Sequence, residues 1–319
     1  MRYFYVSFII AVIGLGLSFF IDGLSAVYLT AILAVLEVSL SFDNAVVNAK
    51  ILKNFDKVWE RRFLTWGMVI AVFGMRFFFP ILIVAVAADI GIMETLNIAI
   101  NHPQEYHEVL LRSEKLIYAF GGAFLWLVFT DFLFEEKEVR WIKPVEKYAE
   151  KLGRVNNISL IVATIIGIIV IYDSKSYEIG IAYLAGMLTF SLLNGINDAF
   201  AVEGVKNGLM GFLYLEVLDA SFSFDGVIGA FAITSNIFLI MIGLGIGAMF
   251  VRSLTVWMVE KGVLNEYKYL EHGAHYAIGV LAVIMLLKIF MEIGEVLTGT
   301  IGLGLLTLAF LHSKFEKSK

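Results

Sequence analysis

Leu36-Glu37-Val38-Ser39-Leu40-Ser41-Phe42-Asp43-Asn44 and Leu218-Asp219-Ala220-Ser221-Phe222-Ser223-Phe224-Asp225-Gly226 read as two copies of one segment. Setting Asp43 on Asp225 also sets Glu37 on Asp219, Ser39 on Ser221 and Ser41 on Ser223. Both copies lie inside apolar runs. A carboxylate in a membrane interior is costly unless something pairs with it, so acids kept there mark a function. Acids repeated in both halves imply a cation site at the interface of a duplicated transmembrane fold.

The surrounding composition agrees. The chain is 60% hydrophobic with a mean hydropathy of +0.85. Soluble domains are nearer about 45–50% apolar, so the expected class is an all-α polytopic membrane protein. Ten apolar spans are expected, near 4–20, 24–48, 63–88, 116–134, 159–172, 179–202, 209–233, 237–259, 273–291 and 293–311. They give a first transmembrane half (1–134), a cytoplasmic loop (135–158) and a second half (159–319). The first span lacks a small-x-small cleavage site, and Asp22-Gly23 turns into the next span, so it reads as a retained helix.

Charge sets the expected orientation. With ten spans, both termini and the loops after spans 2, 4, 6 and 8 carry eighteen Lys and Arg, while the other side has Arg112, Lys115 and Lys175. That bias puts both termini in the cytoplasm of a multi-pass protein of the cell membrane. Loop 135–158 alternates Glu and Lys and reads as a solvated amphipathic helix with i,i+3 and i,i+4 pairs.

The repeat extends beyond the two acidic segments. Gly67 lies nine residues before Arg76, and Gly243 nine before Arg252. Tyr118-Ala119-x-Gly121 recurs as Tyr276-Ala277-x-Gly279. Spans 2–4 therefore match spans 7–9 with an offset of five, an odd number, which makes the two copies antiparallel and places a site near the midplane.

The chemistry follows from the residue types. Cysteine is absent, and the five histidines (His102, His107, His272, His275 and His312) lie in loops or at helix ends. A buried metal site would use oxygen ligands, which suit Mg, Ca or Mn better than Zn or Cu. Glu37 and Asp43 are six residues apart, about 120° on an ideal helix. They face one cavity only if the helix breaks between them, which Ser39, Ser41 and Asn44 favour by competing for backbone hydrogen bonds. Glu216 adds a further acid in the second copy. Asn194, Asn197 and Asp198 form another polar patch, equally readable as ligands or as a helix cap. Glu37, Asp43, Asp219 and Asp225 carry −4 when ionised, and Arg76 and Arg252 return +2, so a divalent cation brings the sum to zero. Glu216 would then be neutralised by a proton. A structural reading stands beside this one, in which the acids serve to pair with the two arginines and lock helices together. Pro80 removes the hydrogen bond to the Arg76 carbonyl and predicts a kink in span 3.

At these residues the chain resembles the TerC family of integral membrane proteins, within the LysE-type transporter superfamily. That family's first half looks like L-E-x-x-L-x-x-D-N, matched by Leu36-Glu37 and Asp43-Asn44. Its second half looks like E-x-x-D-x-x-x-x-x-D-S, matched by Glu216, Asp219 and Asp225, with Gly226 in place of the usual Ser. Arg61, Arg62, Trp66, Gly67 and Arg76 fit its third-span pattern, and Arg252 and Lys288 resemble its later basic residues. The resemblance implies a divalent metal transporter, most often for manganese export, with Glu37, Asp43, Asn44, Asp219 and Asp225 as ligands. Mn²⁺ would be a transported substrate. The implied partners are membrane lipid and a divalent cation, with no nucleic acid and no enzymatic activity. Rival readings are an ion-binding channel or sensor, and an intramembrane aspartyl protease using Asp43 and Asp225 as a dyad. The protease reading gives no role to Glu37 or Asp219, and its second Asp would be expected in G-x-G-D rather than Ser223-Phe224-Asp225-Gly226.

Overall fold

The computed structural model describes residues 2–53, 55–87, 89–200, 208–231, 233–234 and 236–317. A 3₁₀ turn (Arg2–Phe4) leads into α1 (Tyr5–Leu40), α2 (Phe42–Leu52) and α3 (Lys57–Val69). A π-helix (Ile70–Phe78) separates α3 from α4 (Phe79–Ala87), and α5 (Ile92–Asn101) and α6 (Pro103–Phe134) follow. Next come α7 (Lys143–Leu152), α8 (Ile158–Ser174), α9 (Tyr177–Phe200) and α10 (Leu209–Phe231). The chain continues through α11 (Ile237–Glu260), α12 (Val263–Glu266), α13 (Leu270–Lys288) and α14 (Glu295–Lys317). Among the described residues there is no strand.

This is an all-α membrane protein. Among the described residues, α1, α6, α11 and α13 are long and apolar enough to cross a membrane. Large apolar side chains stand exposed on α1, with Phe20 86% and Leu24 78% accessible, as expected where lipid replaces water as the solvent. Two compact units make up the chain, and each draws on both halves of the sequence. One comprises Met1–Glu114 and Val205–Lys261, the other Lys115–Gly204 and Gly262–Lys319.

In the first unit, α1 doubles back on itself. Asp22 and Gly23 leave helical geometry, and Gly23 takes φ +60° and ψ −147°, a conformation that a Cβ would obstruct. Ser18 Oγ and Thr30 Oγ1 lie 2.8 Å apart across this turn, whereas twelve residues of straight helix would separate them by about 18 Å. Each arm is about 25 Å long at 1.5 Å per residue, close to the thickness of a bilayer core. α11 packs on both arms. Ser7 Oγ donates to the Met249 carbonyl (2.8 Å), Gly14 faces Ile242 and Ile246, and Gly243 faces Leu33 and the Thr30 carbonyl. Gly243 and Gly247, four residues apart, give α11 a small-residue seam of the kind that lets helices approach closely in lipid. Asp56 caps α3 by accepting from the Val58 and Trp59 N–H groups (2.9 and 2.8 Å). Leu52, Phe55, Phe63, Phe212 and Leu215 form an apolar core between α2, α3 and α10. The ladder widens to π geometry at Ile70 and returns to α at Phe79, directly before Pro80, so the break expected from that proline is spread over a segment that includes Arg76.

In the second unit, Tyr183 of α9 donates from its hydroxyl to the Ala163 carbonyl of α8 (2.7 Å). Loop 135–158 contains the expected amphipathic helix, α7, but not the expected pairs along it. Glu146 is fully buried. It accepts from the Trp141 N–H (3.0 Å), lies 2.9 Å from His272 Nδ1 and accepts from the Tyr276 hydroxyl (3.3 Å). Glu150 takes a two-pronged hydrogen bond from Arg140, with Nε and Nη2 each at 2.8 Å. Both acids of the helix thus turn to partners outside it, and buried Glu146 draws its donors from α13 and from the backbone just before α7. Burial pushes the Glu146 carboxyl up, but His272 and the Trp141 and Ile142 N–H groups outweigh it and hold it below the usual range. A carboxyl lowered in the folded state adds stability above its unfolded pKa, and that contribution disappears as pH falls through the folded value. Acidification below the ordinary carboxylate range is therefore expected to free the loop. Limited proteolysis at 135–158 across a pH series checks this, and a cleavage rate that stays flat would count against it.

Candidate cation site

The two acidic segments meet in the first unit. The helix does break in the first copy: α1 ends at Leu40, Ser41 takes φ −102° and ψ 16°, and α2 starts at Phe42. Ser41 Oγ donates to Glu37 Oε1 (2.8 Å), a side-chain bond that ties the residue at the break to the buried carboxylate. The second copy differs, since α10 runs without interruption through 219–225.

Arg76 links the two copies. Its Nη2 donates to Glu37 Oε1 from the first, and its Nη1 lies 3.6 Å from Asp219 Oδ2 of the second. Asn44 Nδ2 also reaches across, donating to Asp219 Oδ1. Arg252 serves the next turn of α10. Its Nη2 lies 3.6 Å from Glu216 Oε1, its Nη1 donates to the Phe63 carbonyl, and its guanidinium stacks 4.1 Å above the Phe63 ring. Both arginines therefore lie beside buried acids as counter-ions. Glu37 is fully inaccessible, and Arg76, Glu216, Asp219 and Arg252 are each less than a tenth exposed.

Glycines make the space. A Cβ on Gly67 would run into Arg252 Nη1 and Glu216 Oε1, and a Cβ on Gly247 would strike the stem of Glu37. A Cβ on Gly226 would fall 2.9 Å from Glu37 Oε2, so this glycine borders the carboxylate itself.

With all groups ionised, Glu37, Glu216 and Asp219 outnumber Arg76 and Arg252 by one negative charge. Glu37 Oε2, both Glu216 oxygens, Asp219 Oδ2 and Asn48 Oδ1 are buried without a hydrogen-bond partner among the described residues. Such oxygens are costly in a low dielectric, and hard cations take them as ligands. Among the described residues no three His, Asp or Glu side chains converge into a metal-binding group. The side chains of Asp43, Asp225, Asn197 and Asp198 lie outside the described residues. Asn194 falls in the other unit, where its Nδ2 donates to Asp131 Oδ2 (3.3 Å), and Lys288 sits there too, 5.0 Å from the Tyr118 ring. Asn48 and the Phe63 carbonyl are site features that the sequence reading missed. Asn48 was open to detection, since it stands one helical turn beyond Asn44. The Phe63 carbonyl gives no signal in the sequence.

A family model described as a protein of unknown function, DUF475, matches residues 42–319. The chain belongs to the DUF475 family. No curated protein and no solved structure matches it. The DUF475 match takes in α2 with Asn44 and Asn48, both arginines and the whole second acidic copy, while Glu37 lies just ahead of where it begins.

Proposed function

We propose that this DUF475 protein is a divalent cation transporter, with Mn²⁺ as the leading substrate, that exports the ion across the cell membrane by alternating access. The observation that carries this reading is the buried meeting of the two acidic copies, with Asn44 and Arg76 of one half engaging Asp219 of the other. In this reading ten spans form two inverted repeats with both termini cytoplasmic, and Glu37, Asp43, Asn44, Asp219 and Asp225 supply the ligands, with Glu216 as the proton-exchanging group. The resemblance to the TerC family supports Mn²⁺ among the hard divalent ions, which oxygen ligands alone separate poorly. Arg76 and the cation would compete for the same carboxylates, so ion entry and a shift of the Arg76 side chain belong to one step.

The test is Mn²⁺ flux into proteoliposomes, with Ca²⁺, Mg²⁺ and Zn²⁺ as competitors. Flux is expected to saturate, to depend on pH, and to fall by more than about tenfold in Asp43→Asn, Asp219→Asn and Asp225→Asn, a loss of at least about 1.4 kcal/mol. Wild-type flux in all three variants would assign the acids to helix locking instead.

A further inference from the structure

α7 has three distinct faces. At about 100° per residue, Glu146 and Ala149 share the buried face. Lys143, Lys147 and Lys151 recur every fourth residue and form an exposed basic stripe. Val145, Tyr148 and Leu152 lie within about 60° of one another and form a third stripe. These three are 47%, 67% and 39% exposed, and exposed Ile142 and Val155 stand just beyond the helix ends.

A helix bathed in water gains nothing from an exposed apolar stripe, and such a patch marks a contact surface. The basic stripe is equally unspent. Glu146 is turned to His272 and Glu150 to Arg140, and among the described residues Lys143, Lys147, Lys151 and Arg154 form no ion pair. They border a hollow of about 750 Å³ whose lining also includes Glu135, Glu136 and Glu138.

The buried face fixes where the helix lies. Gly153 rests against the carbonyl of Phe134, the last residue of α6, and Glu146 is held by His272 in the first turn of α13. Both α6 and α13 are long and apolar enough to cross a membrane, so their ends mark the level of its surface.

We propose that α7 lies in the bilayer surface, with Val145, Tyr148 and Leu152 set among the upper acyl chains and the lysines and Arg154 on anionic headgroup phosphates. Apolar area and basic charge combined on one short helix are what an anionic lipid surface selects. The inference rests on the membrane-spanning reading of α6 and α13 and stands apart from the ion carried.

Because the chain has no cysteine, single cysteines placed by Tyr148→Cys and, as a control, Asn156→Cys can carry a fluorophore in the full-length protein. The labelled protein is reconstituted in vesicles of phosphatidylcholine, with or without phosphatidylglycerol. Lipid-borne nitroxide is expected to quench the label at 148 several-fold more than the one at 156, and aqueous iodide less. Phosphatidylglycerol should widen the difference. Lys143→Gln, Lys147→Gln and Lys151→Gln should each reduce insertion by about fivefold, as should added salt. Equal iodide quenching at both positions would show a solvated helix and overturn the proposal. Protection from both quenchers would do the same by revealing a protein partner, and indifference to phosphatidylglycerol and to the lysines would remove the headgroup contact. Mn²⁺ flux in the same vesicles is read separately, so its absence alongside intact lipid quenching sinks the transport reading alone.

Discussion

Arg76→Gln is expected to destabilise the protein by about 3–5 kcal/mol, the cost of leaving a buried charge unpaired. Arg76 is 3% exposed and sits between Glu37 and Asp219, which are themselves buried. Without its guanidinium, Glu37 retains the Ser41 hydroxyl on Oε1, and Oε2 has no hydrogen-bond partner among the described residues. Removing both charges with Glu37→Gln/Arg76→Gln should cost less than the two single changes added together, because each single change strands the other charge. Arg76→Lys should rescue only part of the loss, since one ammonium cannot match a two-armed guanidinium on two acids. Thermal unfolding of the detergent-solubilised variants provides the measurement. An unchanged midpoint in Arg76→Gln would mean that Glu37 needs no counter-ion and that the cluster is not organised around Arg76.

Gly247→Leu is expected to cost about 1–3 kcal/mol through overpacking and also to impair any activity that depends on Glu37. The first atom of any side chain at 247 would collide with the Glu37 stem and lie 2.8 Å from the Ala34 carbonyl. α11 and the second arm of α1 would have to separate, drawing Glu37 away from Arg76. Gly16 is the natural control, since nothing lies within 4 Å of a Cβ there and Gly16→Ala should be neutral or slightly stabilising. Equal stability of Gly247→Leu and Gly16→Ala would show that this seam is not closely packed.

Much of this arrangement is visible in the residues alone, because it depends on short-range rules. Apolar runs of membrane length predict the helices, and Asp22-Gly23 predicts the turn within α1, since a glycine tolerates the backbone angles that such a turn needs. Ser41 announces the break beside Asp43, being a residue type whose hydroxyl disfavours a helix interior, although in the structure that hydroxyl bonds the Glu37 carboxylate instead of the backbone. The pairing of two buried arginines with buried acids follows from the cost of an isolated charge in lipid. Which acid each arginine takes is not legible, because Arg76 reaches Glu37 39 residues back and Asp219 in the other half of the chain. The loop helix misleads for a related reason. Its i,i+3 and i,i+4 acids and bases look self-sufficient, yet the side chains that engage Glu146 are on the distant α13.

The sequence by itself determined that the chain is helical, membrane-embedded and supplied with acids inside apolar runs, since these depend on composition and on spacing within a few turns. Only the tertiary structure decided that Asn44 and Arg76 meet Asp219, that Gly67, Gly226 and Gly247 clear space for the charged side chains, and that the α7 lysines form no ion pair among the described residues. These outcomes turn on which helix faces lie together, and a buried charge is satisfied by whatever donor packing brings within reach, however far away it lies in the chain.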